Sequence, residues 1–249
     1  MNRMQESLSV MRFLEPVLGV LLPNRCIVCN GVIESGCCIC SGCRSRIDIV
    51  RPPFCKRCGA PLSGVNAEAG CDQCRDLAFT FMKNESLGVY MGTLRELVHQ
   101  YKFEKRRGLA RTFASLILEH KRGFVEQHEL LVPVPLTPAR LSERGFNQAS
   151  LVAERISKHS SIVLLKRCLR RRGSSKPQST ISIVSARLAN LRDEFSVPQR
   201  FRDAIRGHSV LIFDDVITTG ATTSACASAL RSAGAATVDV LTIARVVKD

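Results

Sequence analysis

The run Val210-Leu211-Ile212-Phe213-Asp214-Asp215-Val216-Ile217-Thr218-Thr219-Gly220-Ala221-Thr222-Thr223 holds the residues with the most legible chemistry. Its apolar start reads as a buried strand. That strand delivers two carboxylates to the C-terminal edge of a sheet, where α/β proteins bind their ligands. Carboxylates at such an edge accept hydrogen bonds from paired hydroxyls, such as those of a ribose. A hydroxyl-rich turn with Gly220 follows and leads into a helix, whose first amides and dipole favour an anion. Acids for a sugar beside donors for a phosphate describe a ribose 5-phosphate pocket. A strand-end cap and an ordinary turn would explain Asp-Asp or Thr-Thr-Gly singly, but not the whole ordered series.

The second chemical feature is a set of C-x-x-C pairs: Cys26 with Cys29, Cys40 with Cys43, Cys55 with Cys58, and Cys71 with Cys74. Each pair points two sulfurs at one metal, and two pairs complete a tetrahedral four-thiolate zinc site. Four pairs therefore predict two structural zinc ions. The halves read as a repeat, since Cys26 to Cys55 is 29 positions and Cys40 to Cys71 is 31. Gly59, directly after Cys58, suits the tight backbone of such a knuckle. First with second and third with fourth is the simplest grouping, although four pairs can be combined in three ways. Cys37 and Cys38 read as spare, and Cys37-Cys38-Ile39-Cys40 is itself a C-x-x-C. Sites already filled by four thiolates predict a structural rather than a catalytic metal. Cys226, in an alanine-rich helix, reads as a small core residue.

The elements that must position these groups follow from periodicity. Apolar residues at Leu8, Met11, Leu14, Leu18 and Leu21 mark one helix face, which Pro23 ends and Pro16 kinks. The cysteine-rich stretch 24–76 is too poor in apolar runs to build a large core and needs metal to fold. Residues 79–83 read as a short connection. Beyond it strands and helices alternate. Strands are expected at Ser86–Tyr90, Leu130–Leu136, Ile162–Leu165, Ser209–Asp214 and Thr237–Ala244. Helices are expected at Thr93–Tyr101, Leu109–His120, Asn147–Lys158 and Thr222–Ala233. An irregular basic stretch runs from Leu169 to Thr180. Strand, helix, strand at this spacing is a βαβ unit, which implies a parallel sheet.

Bulk composition narrows the setting. The 249 residues suit one large or two modest domains. Hydrophobic residues are 45% of the chain, enough for a real core, and with 5% aromatics and no Trp that core rests on Leu, Val, Ile and Ala. Thirty-six Lys and Arg against 22 Asp and Glu give a net charge of +14, which favours polyanions: nucleic acid, nucleotides, sugar phosphates or an acidic membrane. Ten of the 12 cysteines lie between Cys26 and Cys74. Disulfides would need an export signal, yet Arg3, Glu6, Arg12 and Glu15 break up the first 22 residues and no small-residue cleavage site follows. No apolar run is long enough to span a membrane. A cytoplasmic protein with metal-ligating cysteines is expected.

The phosphate loop is similar to the signature of type I phosphoribosyltransferases at every position. With the rest of the chain it resembles the ComF family (late competence protein F and relatives), which joins a double zinc ribbon to that fold. The resemblance covers nearly the whole chain. It is carried by the four cysteine pairs, by Tyr90-Met-Gly-Thr-Leu-Arg-Glu-Leu-Val-His-Gln-Tyr-Lys102-Phe103, by Val132-Pro-Val-Pro-Leu-Thr-Pro-Ala-Arg140 and by Arg144-Gly-Phe-Asn-Gln148. Ser175, Gln178, Arg187, Asn190 and Phe195 add to it, with one residue more than the family pattern between Gln178 and Arg187. The implied fold class is α/β, a parallel-sheet type I phosphoribosyltransferase fold with a small N-terminal double zinc ribbon. Three parts are expected: a helix over 1–23, the double ribbon over 24–78 and the phosphoribosyltransferase-like domain over 84–249.

The same resemblance implies a ligand and roles. Phosphoribosyl pyrophosphate (PRPP) would bind with Mg²⁺. Asp214 and Asp215 would hold the ribose hydroxyls. Thr218, Thr219, Gly220, Ala221, Thr222 and Thr223 would hold the 5-phosphate. Residues 132–140 would form the pyrophosphate loop, with Arg140 and Arg144 near the diphosphate, and 170–190 would close over the ligand. Catalysis would be phosphoribosyl transfer to a nitrogen acceptor. The residues show no base-recognition hood and no N-terminal cysteine nucleophile of a glutamine-using amidotransferase. The family's link to competence implies single-stranded DNA and other competence proteins as partners. Two basic runs agree with DNA: Lys166 to Lys176 has six basic residues in 11, and Lys102 to Arg107 has four in six. Solvated loops around an anionic substrate would look the same. A PRPP-binding regulator without turnover is the third alternative.

Overall fold

Three apolar stretches with β-branched residues supply the strands at the centre of the fold, and helices cover both their faces. The computed structural model describes residues 23–34, 37–62, 71, 74, 77–171 and 194–247. The expected helix at 8–22 lies outside them, as do Ser175, Gln178, Arg187 and Asn190 of the expected closing loop. The chain divides into two compact units, one ending at Ile47 and one starting at Asp48. The boundary falls between the second and third cysteine pairs.

In the first unit, Arg25 and Val32 form an antiparallel bridge around the Cys26–Cys29 turn. Cys26 N–H donates to Gly31 O at 2.7 Å and Asn30 N–H to Cys26 O at 2.8 Å. The second unit repeats this 29 positions later. Phe54 bridges Pro61, Cys55 N–H donates to Ala60 O at 2.8 Å and Gly59 N–H to Cys55 O at 2.7 Å. Both knuckles turn through a left-handed residue, Asn30 with φ 61° and Gly59 with φ 73°. A short helix α1, Ser41–Ser45, starts at Cys40, whose sulfur caps the Cys43 amide.

The rest of the second unit is an α/β layer. In chain order come β1 (Asn84–Val89), α2 (Gly92–Phe103), α3 (Leu109–His120), α4 (Arg122–Val125), β2 (Leu130–Pro133), α5 (Pro138–Arg144), α6 (Gln148–Lys158) and β3 (Val163–Leu164). There follow β4 (Arg170–Arg171), β5 (Phe195–Ser196), α7 (Arg202–Ile205), β6 (Ser209–Ile217), α8 (Ala221–Ser232) and β7 (Thr237–Arg245). Five strands form one sheet in the order β1-β7-β6-β2-β3. Every pairing in it is parallel. Strands β4 and β5 make a separate antiparallel pair.

The central strands are buried on both faces, which is why β2 and the first half of β6 read as continuous apolar runs. Alternation assigns the sides. Leu130, Val132, Val210, Ile212, Val238 and Val240 share a core with Ala225, Cys226 and Leu230 of α8. Leu131, Leu211, Phe213 and Leu241 are fully buried on the opposite face, where α3 and α6 pack against each other and against the strands. Cys226 is a buried core residue, as expected.

One expected loop is in part a helix. Residues 132–140 end as a loop at Thr137, and α5 begins at Pro138. Thr137 caps it by accepting from Arg140 N–H at 3.3 Å, proline stands at the first helical position, and Gly145 with φ 74° closes it. Asn147, expected as helical, is instead the cap of α6 and accepts from Ser150 N–H at 3.1 Å.

Candidate functional site

Parallel strands of unequal length bring the site together at the sheet's C-terminal edge. Strand β2 stops at Pro133, while β6 continues to Ile217 beside β7. Asp214 and Asp215 lie near the end of β6, so one chain direction delivers both acids to the same edge. They are not equivalent. Asp215 is buried, and its Oδ1 meets Lys102 Nζ at 2.6 Å. Its Oδ2 faces Arg144 Nη1 at 3.9 Å. Asp214 accepts the Asp215 amide at 2.8 Å. Burial, and then the charge of Asp215, pushes the Asp214 carboxyl up to about 7. At neutral pH the Asp214 carboxyl is therefore partly protonated.

Lys102 and Arg144 come from the ends of α2 and α5. Arg144 is 9% exposed, lies over the Phe103 ring at 5.6 Å and donates to Gln148 Oε1 at 3.2 Å. Gln148 is itself fixed where Tyr101 Oη donates to its carbonyl at 2.9 Å. Arg140 stands apart on the exposed first turn of α5. The structure thus brings Arg144 to the acids and leaves Arg140 at the surface.

The turn after β6 has the form needed for an anion. Gly220, with φ 75°, caps α8 without a side chain, so the amides of Thr222 and Thr223 have no acceptor within the helix. Thr223 Oγ1 is turned inward and donates to Gly220 O at 3.0 Å. Thr219 Oγ1 accepts from Ala221 N–H at 3.4 Å. Thr218 is exposed, and its carbonyl accepts from Arg245 Nη1 at 2.6 Å. The helix therefore offers backbone donors, while the Thr223 hydroxyl braces the turn.

Several residues at this edge escaped sequence reasoning. Lys102 and Gln148 belong to the segments that carry the family resemblance, but nothing in their spacing places them against Asp215 or Arg144. Arg245, in register with Ile217, had a signal: a lone cation closing a strand whose other charged residue is Asp239. Phe79 had none. A Cβ on Gly220 would lie 2.7 Å from its Cε1, so the ring is pressed against the turn. Thr80 N–H donates to Ser224 Oγ at 2.9 Å, and Thr80 Oγ1 donates to the Ser224 carbonyl.

The cysteines gather as two sets. Cys26, Cys29, Cys40 and Cys43 have their sulfurs within 4.8 Å of one another, as do Cys55, Cys58, Cys71 and Cys74. Observed separations are 3.6 Å for Cys29–Cys40, 3.6 Å for Cys55–Cys74 and 3.3 Å for Cys58–Cys71. Four sulfurs about 2.3 Å from a tetrahedral zinc stand roughly 3.8 Å apart, so the donor sets fit that ion closely. The grouping is first pair with second and third with fourth. Cys37 and Cys38 belong to neither set. Amides already point at the sulfurs, with Cys40 N–H donating to Cys26 Sγ at 3.4 Å and Cys43 N–H to Cys40 Sγ at 3.3 Å. Among the described residues no helix is long and apolar enough to cross a membrane.

Known proteins resemble the chain in both the cysteine sets and the sheet. Residues 17–75 match the double zinc ribbon domain family. Among solved structures, the chain covers 58% of itself and 30% of the glutamine PRPP amidotransferase of B. subtilis complexed with ADP and GMP, at 22% identity and a TM-score of 0.37. It covers 55% of itself and 62% of a hypoxanthine phosphoribosyltransferase from Staphylococcus aureus, at 13% identity and a TM-score of 0.33. The chain thus spans less than two thirds of either structure. Curated relatives match along nearly their whole length. Competence protein ComFC of Bacillus subtilis is 29% identical over 83% of this chain and 84% of its own. DNA utilization protein YhgH of Escherichia coli K12 is 28% identical over 90% and 98%. Competence protein F of Haemophilus influenzae is 30% identical over 229 residues, 89% of this chain and 96% of that one. With its double zinc ribbon, its parallel α/β layer and this end-to-end likeness, the chain belongs to the competence protein F (ComF) family.

Proposed function

We propose that the second unit binds PRPP, or a closely related ribose 5-phosphate ligand, and transfers its phosphoribosyl group to a nitrogen acceptor in the handling of DNA taken up by the cell. One observation carries the reading. A single strand-turn-helix sets two acids, Asp214 and the cation-paired Asp215, four residues or fewer from a turn whose following helix leaves amides free for phosphate. Asp214 and Asp215 would take the ribose hydroxyls, and the segment Thr218–Thr223 the 5-phosphate. Arg144, and Arg140 after movement of an exposed side chain, would face the diphosphate. In the transfer, the bond from the anomeric carbon to the diphosphate oxygen breaks and the electron pair leaves with the diphosphate. The acceptor nitrogen forms the new bond and loses a proton. Arg144 and Lys102, the cations beside the acids, would neutralise the leaving group and position the sugar.

Magnesium would supply further neutralisation of the diphosphate. Among the described residues, the two cysteine sets are the groups of three or more metal-binding side chains, so Mg²⁺ would arrive with the ligand's own oxygens rather than in a protein cage. The two zinc ions would be structural. The reduced thiolates they need suit the cytoplasm.

A single-stranded DNA contact is favoured by one further observation. Lys105, Arg106 and Arg107 are all exposed between α2 and α3, as are Lys166 and Arg167 after β3. Such a surface would bind the phosphate backbone with steep salt dependence. Relatives named for competence and DNA utilization support that setting.

Calorimetric titration of Mg-PRPP into the wild type and into the Asp214→Asn, Asp215→Asn double variant tests the proposal. Binding by the wild type alone supports a donor pocket. If neither binds while both are folded, the pocket reading fails and salt-dependent DNA binding becomes the function to measure. Binding without turnover on any nitrogen acceptor would make the protein a PRPP sensor.

A further inference from the structure

Within the second unit, the segment between the last cysteine pair and β1 touches two places at once. Phe79 packs against the cluster formed by Cys55, Cys58, Ala60, Cys71 and Cys74, and also against the sheet core under α8. Its ring stacks on Phe81 at 4.6 Å. From the knuckle side, Arg57 lies over the Phe79 ring at 5.9 Å and donates to Leu77 O at 2.7 Å. On the far side the ring presses on Gly220, where a Cβ would meet it at 2.7 Å. Thr80 then binds Ser224 in the first turn of α8 through both its amide and its hydroxyl.

From these contacts we infer that Phe79 is a positioning residue, one that transmits the order of the second zinc site to the phosphate-binding turn at Gly220. The inference rests on the PRPP reading for its functional consequence, but not for the coupling itself. A turn with a left-handed residue and free amides holds an anion well only if those amides are preorganised. Gly220 has no side chain to fix it, so the wall behind it must. That wall is an aromatic ring that also packs against the cluster holding the four cysteines of the second knuckle. A knuckle with so little apolar core keeps its shape only while metal holds those sulfurs together. Loss of the metal would free Arg57 and Leu77, release the ring and loosen the turn.

Hydrogen exchange at the amides from Thr219 to Ser224 tests this directly, with zinc content measured in parallel. In the wild type, chelation should speed exchange at these amides by about 10-fold. Phe79→Ala should reproduce most of that acceleration while still holding two zinc ions per chain, and Phe79→Leu should recover slower exchange. Unchanged exchange at the turn, either on zinc removal or in zinc-loaded Phe79→Ala, overturns the coupling. Should Phe79→Ala fail to fold, the wild-type chelation arm decides it: a turn whose exchange ignores zinc removal sinks the inference. Mg-PRPP titration separates the two readings. Affinity about 10-fold weaker in Phe79→Ala than in wild type supports both. A wild type that binds no PRPP, yet shows the exchange pattern, removes the pocket reading and leaves the coupling standing.

Discussion

Replacing Asp215 by Asn should cost far more than replacing its neighbour Asp214, although both are acids at the same strand end. Asp215 stands between two cations. Lys102 is 2.6 Å away, with the two side chains 15% and 12% exposed, and Arg144 is 3.9 Å from the other oxygen and 10% exposed. The Asn variant leaves two enclosed positive charges without their carboxylate. Breaking a buried ion pair costs about 3–5 kcal/mol. Residual exposure reduces that. So does Asp214, whose carboxyl is raised partly by the charge of Asp215 and would ionise more readily without it. The expected loss is about 2–4 kcal/mol for Asp215→Asn. Asp214→Asn should cost about 1 kcal/mol or less at neutral pH, since the native group is already half protonated there and an amide oxygen can still accept the Asp215 N–H. In the double variant Asp214 can no longer take over, so its loss should exceed the sum of the singles by about 1 kcal/mol. Urea unfolding at neutral pH measures all three. Equal costs for the two single variants, or additivity within about 0.5 kcal/mol, would refute the reasoning.

Other expectations follow from the same geometry. Asp214, held near 7 against an ordinary 3.8, binds its proton more tightly folded than unfolded. Its contribution to stability is therefore full below about pH 4 and is lost as the pH rises through about 7. Urea unfolding across that window should show this loss in the wild type and its absence in Asp214→Asn. Gly220→Ala adds a left-handed penalty of about 1–2 kcal/mol and a Cβ 2.7 Å from Phe79. Thermal unfolding should report a total of about 2–4 kcal/mol, of which Phe79→Leu recovers only the packing share. Elemental analysis of Cys26→Ser and of Cys55→Ser should each find zinc reduced by one ion per chain. Tyr101→Phe removes the buried bond to Gln148 O; chemical denaturation should show a loss of about 1 kcal/mol.

The centre of the sheet was legible because parallel strands buried on both faces leave apolar runs such as residues 210–213. The expected helix Leu109–His120 is observed with those bounds, and Gly220 and Gly234 stand where left-handed backbone is required. The 29-residue repeat of the knuckles, seen first as cysteine spacing, recurs in their hydrogen bonds. What the sequence hid was long-range. Lys102 reaches Asp215 across 113 positions, and Thr80 reaches Ser224 across 144. No local pattern encodes which cation will face a given acid. Helix α5 was missed although Thr137-Pro138 and Gly145 were both visible, because its seven residues lack an apolar face.

The pairing of β1 with β7 sets the order in which the molecule can be made. Asn84 lies opposite Val240 and Val89 opposite Arg245, so β1 waits through 156 residues of synthesis for its partner. At about 5–20 residues per second that delay is roughly 8–30 s. The second knuckle, whose last ligand is Cys74, leaves the ribosome before any of it. Asn84 then ties the two together, its amide donating to Cys58 O at 2.8 Å. Metal capture can therefore precede closure of the sheet, and the folded knuckle would hold one end of an unpaired strand while the rest of the chain is still being translated.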